Sequence, residues 1–287
     1  MPAVTGSGPV AAMIHTEING VSLPVLGFGT YHLTGPEGVK AIRHALDLGY
    51  RYLDTATRYG NEEEVGQAIA ESGIDRDRIF LATKLRYVDL DPATIEDRVK
   101  ESLARLRVDH VDLLMPHWPS PTIPVAPIME AFARVRDKGY ATHIGVSNFP
   151  TDLMREAIKA FDGPIFSNQV EYHPFIAQSA VLDQLRSHGI LLTAAVPLAR
   201  GAIDDEPVIR EIAESYGKTT AQITLRWLIQ QPGVTAIPKS GQPERIRQNL
   251  EIFDFALSED EMARIGALQR NLRLVDVSWA PVWDAPG

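Results

Sequence analysis

The sequence predicts an α/β fold built on a parallel sheet. Short apolar runs alternate with amphipathic helical patterns along the chain, and strands buried on both faces form such unbroken runs. Eight runs occur in a chain of 287 residues, which favours a (β/α)8 barrel. The runs are at residues 25–28, 50–53, 79–82, 111–115, 143–146, 165–167, 190–195 and 234–237.

The segments between the runs carry one apolar face at helical spacing. They are residues 38–48, 93–106, 127–138, 153–161, 177–188, 208–216 and 220–231. A doubly wound open sheet is the alternative fold, but Gly27-Phe28-Gly29-Thr30 lacks the third glycine of the dinucleotide-binding fingerprint. No linker or composition change interrupts the pattern, so residues 14–287 are predicted to form one barrel domain.

The N-terminal region has two distinct signals. Residues 1–13 begin with small, uncharged side chains and lack a basic start, which indicates a flexible tail rather than a signal peptide. Asn19-Gly20 lies between two short apolar segments and predicts a tight β-hairpin, which would cover the bottom of the barrel.

Composition limits the class of partner. The formal net charge of -9 argues against binding nucleic acid, because such proteins carry a basic patch. The absence of cysteine excludes disulfides, thiolate nucleophiles and thiolate metal sites. No run is long enough to span a membrane, and no heptad or exposed apolar stripe indicates an interface. We expect a cytoplasmic enzyme or binding protein, monomeric or weakly oligomeric.

Residues 49–66 organise the candidate site. Asp54 directly follows the second run, a turn carries Tyr59, and a helix begins near Asn61. Asn61 and Glu64 have the spacing of a capping box, which would fix the turn and position Tyr59.

Further polar residues follow the third and fourth runs, and in a barrel these ends meet at one rim. Lys84 would lower the pKa of the Tyr59 phenol from its ordinary value of about 10. Asp54 would keep Lys84 charged, and His117 could orient a carbonyl oxygen towards the phenol. The residues therefore predict acid catalysis of carbonyl reduction.

At this point the chain resembles the aldo-keto reductase family over nearly its whole length. The matching segments are Leu26-Gly-Phe-Gly-Thr, Tyr52-Leu-Asp-Thr-Ala, Tyr59-Gly-Asn-Glu, Thr83-Lys84, His117-Trp-Pro, Gly145-Val-Ser-Asn-Phe, Asn168-Gln-Val-Glu and Ile237-Pro-Lys-Ser. The resemblance implies that Asp54, Tyr59, Lys84 and His117 match the catalytic tetrad. It also implies hydride transfer from NADPH to an aldehyde or ketone, without a metal.

The resemblance implies a cofactor site as well, and the residues after the last run agree with it. A helix start with nearby cations binds phosphate, and Pro243 suits a first helical turn. By resemblance, the nicotinamide carboxamide is held by Ser147, Asn148 and Gln169, the 2′-phosphate by Lys239, Ser240 and Arg245, and adenine by Gln248 and Asn249. Leu198 would lie along the pyrophosphate. Gly29, Thr30 and Asp54 are the remaining residues predicted to bind the cofactor.

Two positions depart from the family pattern. Ala195 stands where relatives carry an aromatic residue that stacks on the nicotinamide, so either another side chain covers the ring or the pocket is wider. Arg86 stands where many relatives have tryptophan. It could recognise a carboxylate or hydroxyl-rich substrate, or lie over the rim in solvent.

The substrate pocket is expected to be aromatic, which suits a carbonyl that must lose its water. Its predicted lining is Tyr31, Trp118, Phe149, Trp279 and Trp283, with Arg86 at the rim. Arg273-Leu-Val and the final Trp-Asp resemble the bacterial diketogluconate and methylglyoxal reductase subgroup, which favours small dicarbonyls, keto-sugar acids or aldehydes. A bulkier alicyclic or xenobiotic ketone is the alternative.

Two other functional classes would require different residues from a reductase. A non-catalytic NADPH-binding sensor would be expected to have lost part of the tetrad, which is intact here. A barrel isomerase or aldolase would use a lysine Schiff base, but Asp54 beside Lys84 should keep that amine protonated and poorly nucleophilic.

Overall fold

The N-terminal hairpin forms as the sequence predicts. In the computed structural model, which describes residues 13–285, β1 (His15–Ile18) pairs antiparallel with β2 (Val21–Pro24). Asn19 and Gly20 between them have φ values of 49° and 77°, the left-handed pair that a tight two-residue hairpin turn requires. Residues 1–12 of the predicted tail lie outside the described residues, whereas Met13 packs against the core.

Eight strand positions close into a parallel barrel, which confirms the predicted fold class. They are β3 (Phe28–Gly29), β4 (Tyr52–Asp54), β5 (Phe80–Leu85), β6 (Val111–Pro116), β7 (Ala141–Ile144) with β8 (Val146–Ser147), β9 (Ser167–Glu171), β10 (Leu191–Ala195) and β11 (Val234–Ala236). The strands β7 and β8 form one position interrupted at Gly145, whose N–H donates to Leu114 O at 3.0 Å. A parallel bridge between Leu26 and Ala236 closes the ring.

The helices surround the barrel, and all seven predicted helical patterns are confirmed with small shifts at their ends. The helices are α1 (Gly35–Asp47), α2 (Glu62–Glu71), α3 (Ile95–Leu106), α4 (Val125–Asp137), α5 (Thr151–Ala160), α6 (Ser179–Ser187), α7 (Pro207–Tyr216), α8 (Thr220–Ile229), α9 (Pro243–Leu250) and α10 (Glu259–Gly266). Helix α10 is not among the predicted helices, although Ser258 and Glu261 form a capping box at its start.

Two apolar layers hold the fold together. The larger layer lies between the strands and the helices, and the smaller one fills the lower part of the barrel interior. Leu23 of β2 belongs to the interior layer and is 1% exposed, so the hairpin does cover the barrel bottom. Polar chemistry is therefore left to the opposite, C-terminal end of the strands. Within residues 13–285, no helix is long and apolar enough to cross a membrane.

Candidate active site

A buried ion pair lies at the C-terminal end of the barrel. Asp54 ends β4 and Lys84 lies in β5, and the Lys84 Nζ to Asp54 Oδ1 distance is 2.7 Å with both side chains enclosed. Lys84 Nζ also donates to Thr55 O at 2.8 Å, and the Gln169 side-chain amide donates to Asp54 Oδ2 at 2.8 Å. A buried pair is tolerable when its remaining hydrogen-bonding groups are satisfied in this way.

The tyrosine and the histidine lie beside this ion pair. Tyr59 ends a 3-10 turn (Thr57–Tyr59), and its ring centroid is 5.3 Å from Lys84 Nζ. The Tyr59 and His117 rings are 5.6 Å apart and nearly perpendicular, at 79°. The structure thus brings Asp54, Tyr59, Lys84 and His117 together, as the sequence predicts.

The electrostatics of Tyr59 differ from the prediction. Desolvation, together with the charges of Asp54 and Tyr31, raises the pKa of Tyr59 well above its ordinary value, and Arg58 opposes the rise. The predicted net lowering of the Tyr59 pKa is wrong, because burial of the phenol and the negative charge of Asp54 outweigh the positive charges nearby. Tyr59 is therefore held as a protonated phenol, which is the form that a proton donor needs.

His117 is held as a neutral imidazole. Burial lowers the pKa of His117 well below its usual range, and the positive charges of Lys84 and Arg58 lower it further. Its main chain is fixed on both sides, since its N–H donates to Leu85 O and its carbonyl accepts from Asn148 Nδ2, each at 2.8 Å. A neutral, oriented imidazole can hydrogen-bond a carbonyl oxygen without carrying charge into the site.

Asn61 does not cap α2, so the predicted capping box is wrong. Its Nδ2 donates to Thr30 O at 2.7 Å and to Leu33 O at 2.9 Å, while its Oδ1 accepts from Thr55 Oγ1 at 3.1 Å. Glu64 instead accepts from the N–H of Gly35 at 2.8 Å. The buried amide of Asn61 therefore hydrogen-bonds polar groups of the loops after β3 and β4, and these bonds fix the turn that carries Tyr59.

Polar side chains after β8 and in β9 fit a carboxamide. Ser147 Oγ donates to Gln169 O at 2.9 Å, and Asn148 Nδ2 donates to Ser147 Oγ at 3.1 Å. Asn148 has a φ of 63°, a conformation that asparagine tolerates better than most residues. Throughout residues 13–285, no donor contacts Asn148 Oδ1 or Gln169 Oε1, so two acceptor oxygens are available to a carboxamide NH2.

Gly29 and Thr30 join the first strand to the rest of the site. The N–H and Oγ1 of Thr30 both donate to Asp54 O at 3.0 Å, and the Thr30 side chain is fully buried. The Thr30 hydroxyl therefore fixes Asp54. A Cβ on Gly29 would lie 3.0 Å from Ile237 O and 3.5 Å from Lys239 Cβ, so glycine allows the last loop to approach.

The loop after β11 presents two cations. Lys239 and Arg245 are exposed, and in the part of the chain that the structure describes neither lies within 4.0 Å of a carboxylate. Helix α9 begins with Pro243 as predicted, and Ser240 and Asn249 are buried beside it. Gln248 of α9 donates to Glu244 at 2.9 Å and is only partly buried. Leu198, in the loop after β10, packs against the core. The helix start and the two cations fit a phosphate.

Aromatic residues form the rim above the tetrad. The Tyr31 ring is 4.9 Å from Tyr59, and the Trp118 ring is 5.9 Å from Trp283. Trp279 lies 4.7 Å from Tyr87, a rim residue that the sequence analysis missed. Four of the five predicted lining aromatics therefore contact this rim or one another.

Two of the predicted pocket residues have other partners. Phe149 is 2% exposed and packs in the larger apolar layer, so it has little surface left to contact a ligand. Asn168 donates to the Phe149 carbonyl at 2.8 Å and fixes that placement. Arg86 donates to both carboxylate oxygens of Asp89, at 2.7 and 3.1 Å, so its guanidinium is already paired with an acid.

The C-terminal tail, residues 267–285, is anchored by Glu171. Its carboxylate accepts from the N–H groups of Leu274 at 2.7 Å and Val275 at 2.8 Å, and contacts His173 Nε2 at 2.9 Å. Burial alone would raise the pKa of Glu171, but these hydrogen bonds lower it below its ordinary value. Glu171 lies in the matched Asn-Gln-Val-Glu segment, yet nothing in the sequence pointed to this role.

A second anchor lies near the end of the tail. Asp284 accepts from the N–H of Thr151 at 3.0 Å, at the start of α5. The two anchors place Trp279 and Trp283 at the barrel mouth.

The barrel and the cluster of carboxylate, ammonium, phenol and imidazole at its C-terminal rim define a barrel enzyme suited to proton transfer. The family model described as the aldo/keto reductase family matches residues 25–270, and the chain belongs to that family. It is therefore an oxidoreductase.

The chain matches known reductases over nearly its full length. It is 40% identical over 268 residues to methylglyoxal reductase DkgB of Yersinia pestis, covering 92% of this chain and 100% of that protein. It is 40% identical over 271 residues to morphine 6-dehydrogenase of Pseudomonas putida, covering 89% and 91%. A crystal structure of a putative 2,5-diketo-D-gluconic acid reductase B superposes with a TM-score of 0.93 at 44% identity, covering 96% and 98%.

Proposed function

We propose that the protein reduces an aldehyde or ketone to the alcohol with NADPH, and that Tyr59 supplies the proton. The observation that carries the proposal is the convergence of Tyr59 with the Lys84–Asp54 ion pair and with a neutral His117. When bound, NADPH supplies the hydride.

Each side chain of the proposed tetrad has a separate role in the reaction. His117 donates a hydrogen bond that orients the carbonyl oxygen towards Tyr59. Tyr59 gives its proton to that oxygen, and Lys84 Nζ, 5.3 Å from the ring, stabilises the phenolate that remains. Asp54 holds the ammonium in place at 2.7 Å. A positioned general acid of this kind contributes about 10²- to 10⁴-fold in rate.

The cofactor assignment rests on two groups of side chains. The free acceptor oxygens of Asn148 and Gln169, with Ser147, would hold the nicotinamide carboxamide. Lys239, Ser240 and Arg245 at the start of α9 would hold the 2′-phosphate, which favours NADPH over NADH.

We propose a small dicarbonyl, a keto-sugar acid or an aldehyde as the substrate class, since relatives are named for methylglyoxal and diketogluconate. A bulkier alicyclic or xenobiotic ketone is the second candidate. It is favoured by the methyl group of Ala195 at a wall position and by the relative named morphine 6-dehydrogenase. Cytoplasmic location, a monomeric or weakly associated state and the absence of a nucleic-acid or membrane partner remain predictions from the sequence.

The test is loss of NADPH absorbance with a panel of aldehydes, dicarbonyls and ketones, comparing the wild type with Tyr59→Phe. We expect turnover by the wild type and a fall in kcat of about 10²-fold or more in Tyr59→Phe. Tyr31→Phe, which removes the hydroxyl of the neighbouring ring, is the control and should retain most of the activity.

NADPH binding followed by protein fluorescence separates the alternatives. A wild type that binds NADPH and reduces no carbonyl would overturn the proposal in favour of the sensor. Equal activity of the wild type and Tyr59→Phe would show that Tyr59 is not the proton donor.

A further inference from the structure

Arg58 is a cation at the barrel mouth without a counter-charge. It lies in the turn Thr57–Tyr59, directly before the proposed proton donor, and its side chain is exposed. Among residues 13–285, no carboxylate lies within 4.0 Å of it and no acceptor hydrogen-bonds its guanidinium. Its close partner is the ring of Trp279, whose centroid is 5.6 Å from Arg58 Cζ. Stacking on a ring leaves the five N–H donors of arginine free.

The charge of Arg58 reaches the reacting groups. It lowers the pKa of His117, and it opposes the rise in the pKa of Tyr59. Both effects require the guanidinium to lie near the site, because the interaction of exposed charges weakens over about 10 Å in ordinary salt.

The other cations around the mouth face acids. Lys84 is paired with Asp54, and Arg86 is bound at both oxygens of Asp89. Arg273 stacks on Trp283 at 3.8 Å and faces the negative charges of the surrounding acids. Those acids are Glu171, Asp276 and Asp284. Within the described chain, Arg58 and Arg273 both lack a carboxylate within 4.0 Å, but Arg58 is the more exposed of the two and is not among the cations that these acids face.

Two further donors at the mouth lack acceptors. The indole nitrogens of Trp279 and Trp283 are enclosed and have no hydrogen-bond partner among the described residues. An enclosed donor without an acceptor is costly, and such groups in native structures call for an explanation. An indole N–H donates only, as does a guanidinium, so the mouth carries donors in excess of acceptors.

We propose that Arg58, supported by the ring of Trp279, binds a carboxylate on the substrate and so makes the enzyme selective for anionic carbonyl compounds such as keto acids. This inference rests on the proposed reductase function and narrows its substrate class. It also moves the substrate-recognition role suggested for Arg86 to the arginine that is free to perform it. An uncharged dicarbonyl would be reduced without this contact.

The test uses matched substrates that differ in charge. One pair is 4-carboxybenzaldehyde and its methyl ester, and the other is 4-oxobutanoate and butanal. The variants are Arg58→Met, which removes the charge at similar length, and Arg58→Lys, which keeps it. Arg86→Met is the control, because it removes a neighbouring rim arginine that is already paired.

We expect Arg58→Met to lower kcat/KM for the carboxylate substrates by about 10- to 100-fold, the value of a charge-assisted hydrogen bond. The uncharged partners should change by less than about 3-fold, since general effects on folding or on Tyr59 would alter both members of a pair. Arg58→Lys should retain part of the preference, and Arg86→Met should leave the ratios unchanged. High salt should reduce the wild-type preference, because the contact is exposed.

The outcomes separate this inference from the proposed function. A selective loss in either substrate pair supports it. Equal changes in both members of both pairs, or a selective loss in Arg86→Met instead, would overturn it while leaving the reductase function intact. A wild type that reduces none of the four compounds while binding NADPH would overturn both.

Discussion

The side-chain amide of Gln169 donates to Asp54 Oδ2 at 2.8 Å, across a separation of 115 residues. The same carboxylate accepts from Lys84 at its other oxygen, so one buried acid fixes a proposed catalytic cation and a proposed cofactor ligand together. With its nitrogen bound to Asp54, Gln169 presents its free oxygen as an acceptor. The two halves of the candidate site are thus joined through Asp54.

Removing the charge of Asp54 should destabilise the protein more than removing the whole ion pair. Asp54→Asn leaves the buried ammonium of Lys84 without its counter-charge, and such a break costs about 3–5 kcal/mol. The double variant Asp54→Asn with Lys84→Met should recover much of that loss. The free energies of unfolding in denaturant of the wild type, Asp54→Asn, Lys84→Met and the double variant form a double-mutant cycle. Additive losses in the double variant would contradict a coupled pair.

The pH dependence of reduction should be flat through neutrality. A proton donor is active below its pKa and loses activity as the pH rises through it, and the pKa of Tyr59 is raised. His117 has a lowered pKa and stays neutral near its ordinary value of about 6.5. We therefore expect kcat/KM for the carbonyl at saturating NADPH to show no step between about pH 6.5 and 9. A fall with an apparent pKa near about 7 would contradict the protonated phenol.

The choice between NADPH and NADH should depend on the two unpaired cations after β11. Lys239→Met or Arg245→Met should raise KM for NADPH by about 10- to 100-fold and leave KM for NADH nearly unchanged, because only NADPH carries the 2′-phosphate. Arg247→Met is the matched control on α9, since Arg247 is paired with Glu244 and Glu251. Steady-state kinetics with both cofactors measures the effect. A parallel rise for NADH would indicate a general loss of folding.

Restoring an aromatic side chain at Ala195 should tighten NADPH binding and narrow the substrate range. Ala195 ends β10 and remains partly exposed beside the interior layer. A stacking ring is worth about 0.5–1.5 kcal/mol beyond its buried area, so Ala195→Tyr should lower the Kd for NADPH about 2- to 10-fold. Fluorescence titration and a panel of bulky ketones measure the two effects, with Ala195→Leu as the control for size. Unchanged affinity and unchanged range would refute the hypothesis.

Weakening the first tail anchor should loosen the aromatic rim. In Glu171→Gln the amide nitrogen cannot accept a hydrogen bond, so one of the N–H groups of Leu274 and Val275 loses its partner at a cost of about 1–3 kcal/mol. Trypsin should then cleave faster after Arg270 and Arg273, and substrate KM should rise more than kcat falls. Glu211→Gln, which breaks a surface pair with Arg264, should change neither.

Acid should release the same anchor in the wild type. The pKa of Glu171 is lowered, so its contribution to stability is complete above its ordinary pKa of 4.5 and is lost as the pH falls through the folded-state value below that. Two of the four tryptophans lie in the tail, so their fluorescence reports the release. Release already at pH 6 would contradict the lowered pKa.

The sequence by itself determined the fold and the four side chains that meet at the rim, because both rest on local patterns. Apolar runs and helical spacing located the barrel units, and Asp54, Tyr59, Lys84 and His117 each follow or end a run, where the barrel geometry brings them together. The sixth strand is predicted only in part. The apolar run at 165–167 overlaps β9 only at its first residue. The rest of Ser167–Glu171 is mostly polar in sequence and gives no apolar signal, although the whole strand is buried.

Tertiary structure alone decided which partners the polar side chains find. Asn61 has the spacing of a helix cap but donates to loop carbonyls instead. Arg86 is hydrogen-bonded to Asp89, and Phe149 packs in the larger apolar layer. The anchoring of the tail by Glu171 joins positions about 100 residues apart, as the separation of 103 between Glu171 and Leu274 shows. Such choices depend on which unsatisfied donor or acceptor lies nearest once the chain is packed, and no spacing along the sequence encodes that distance.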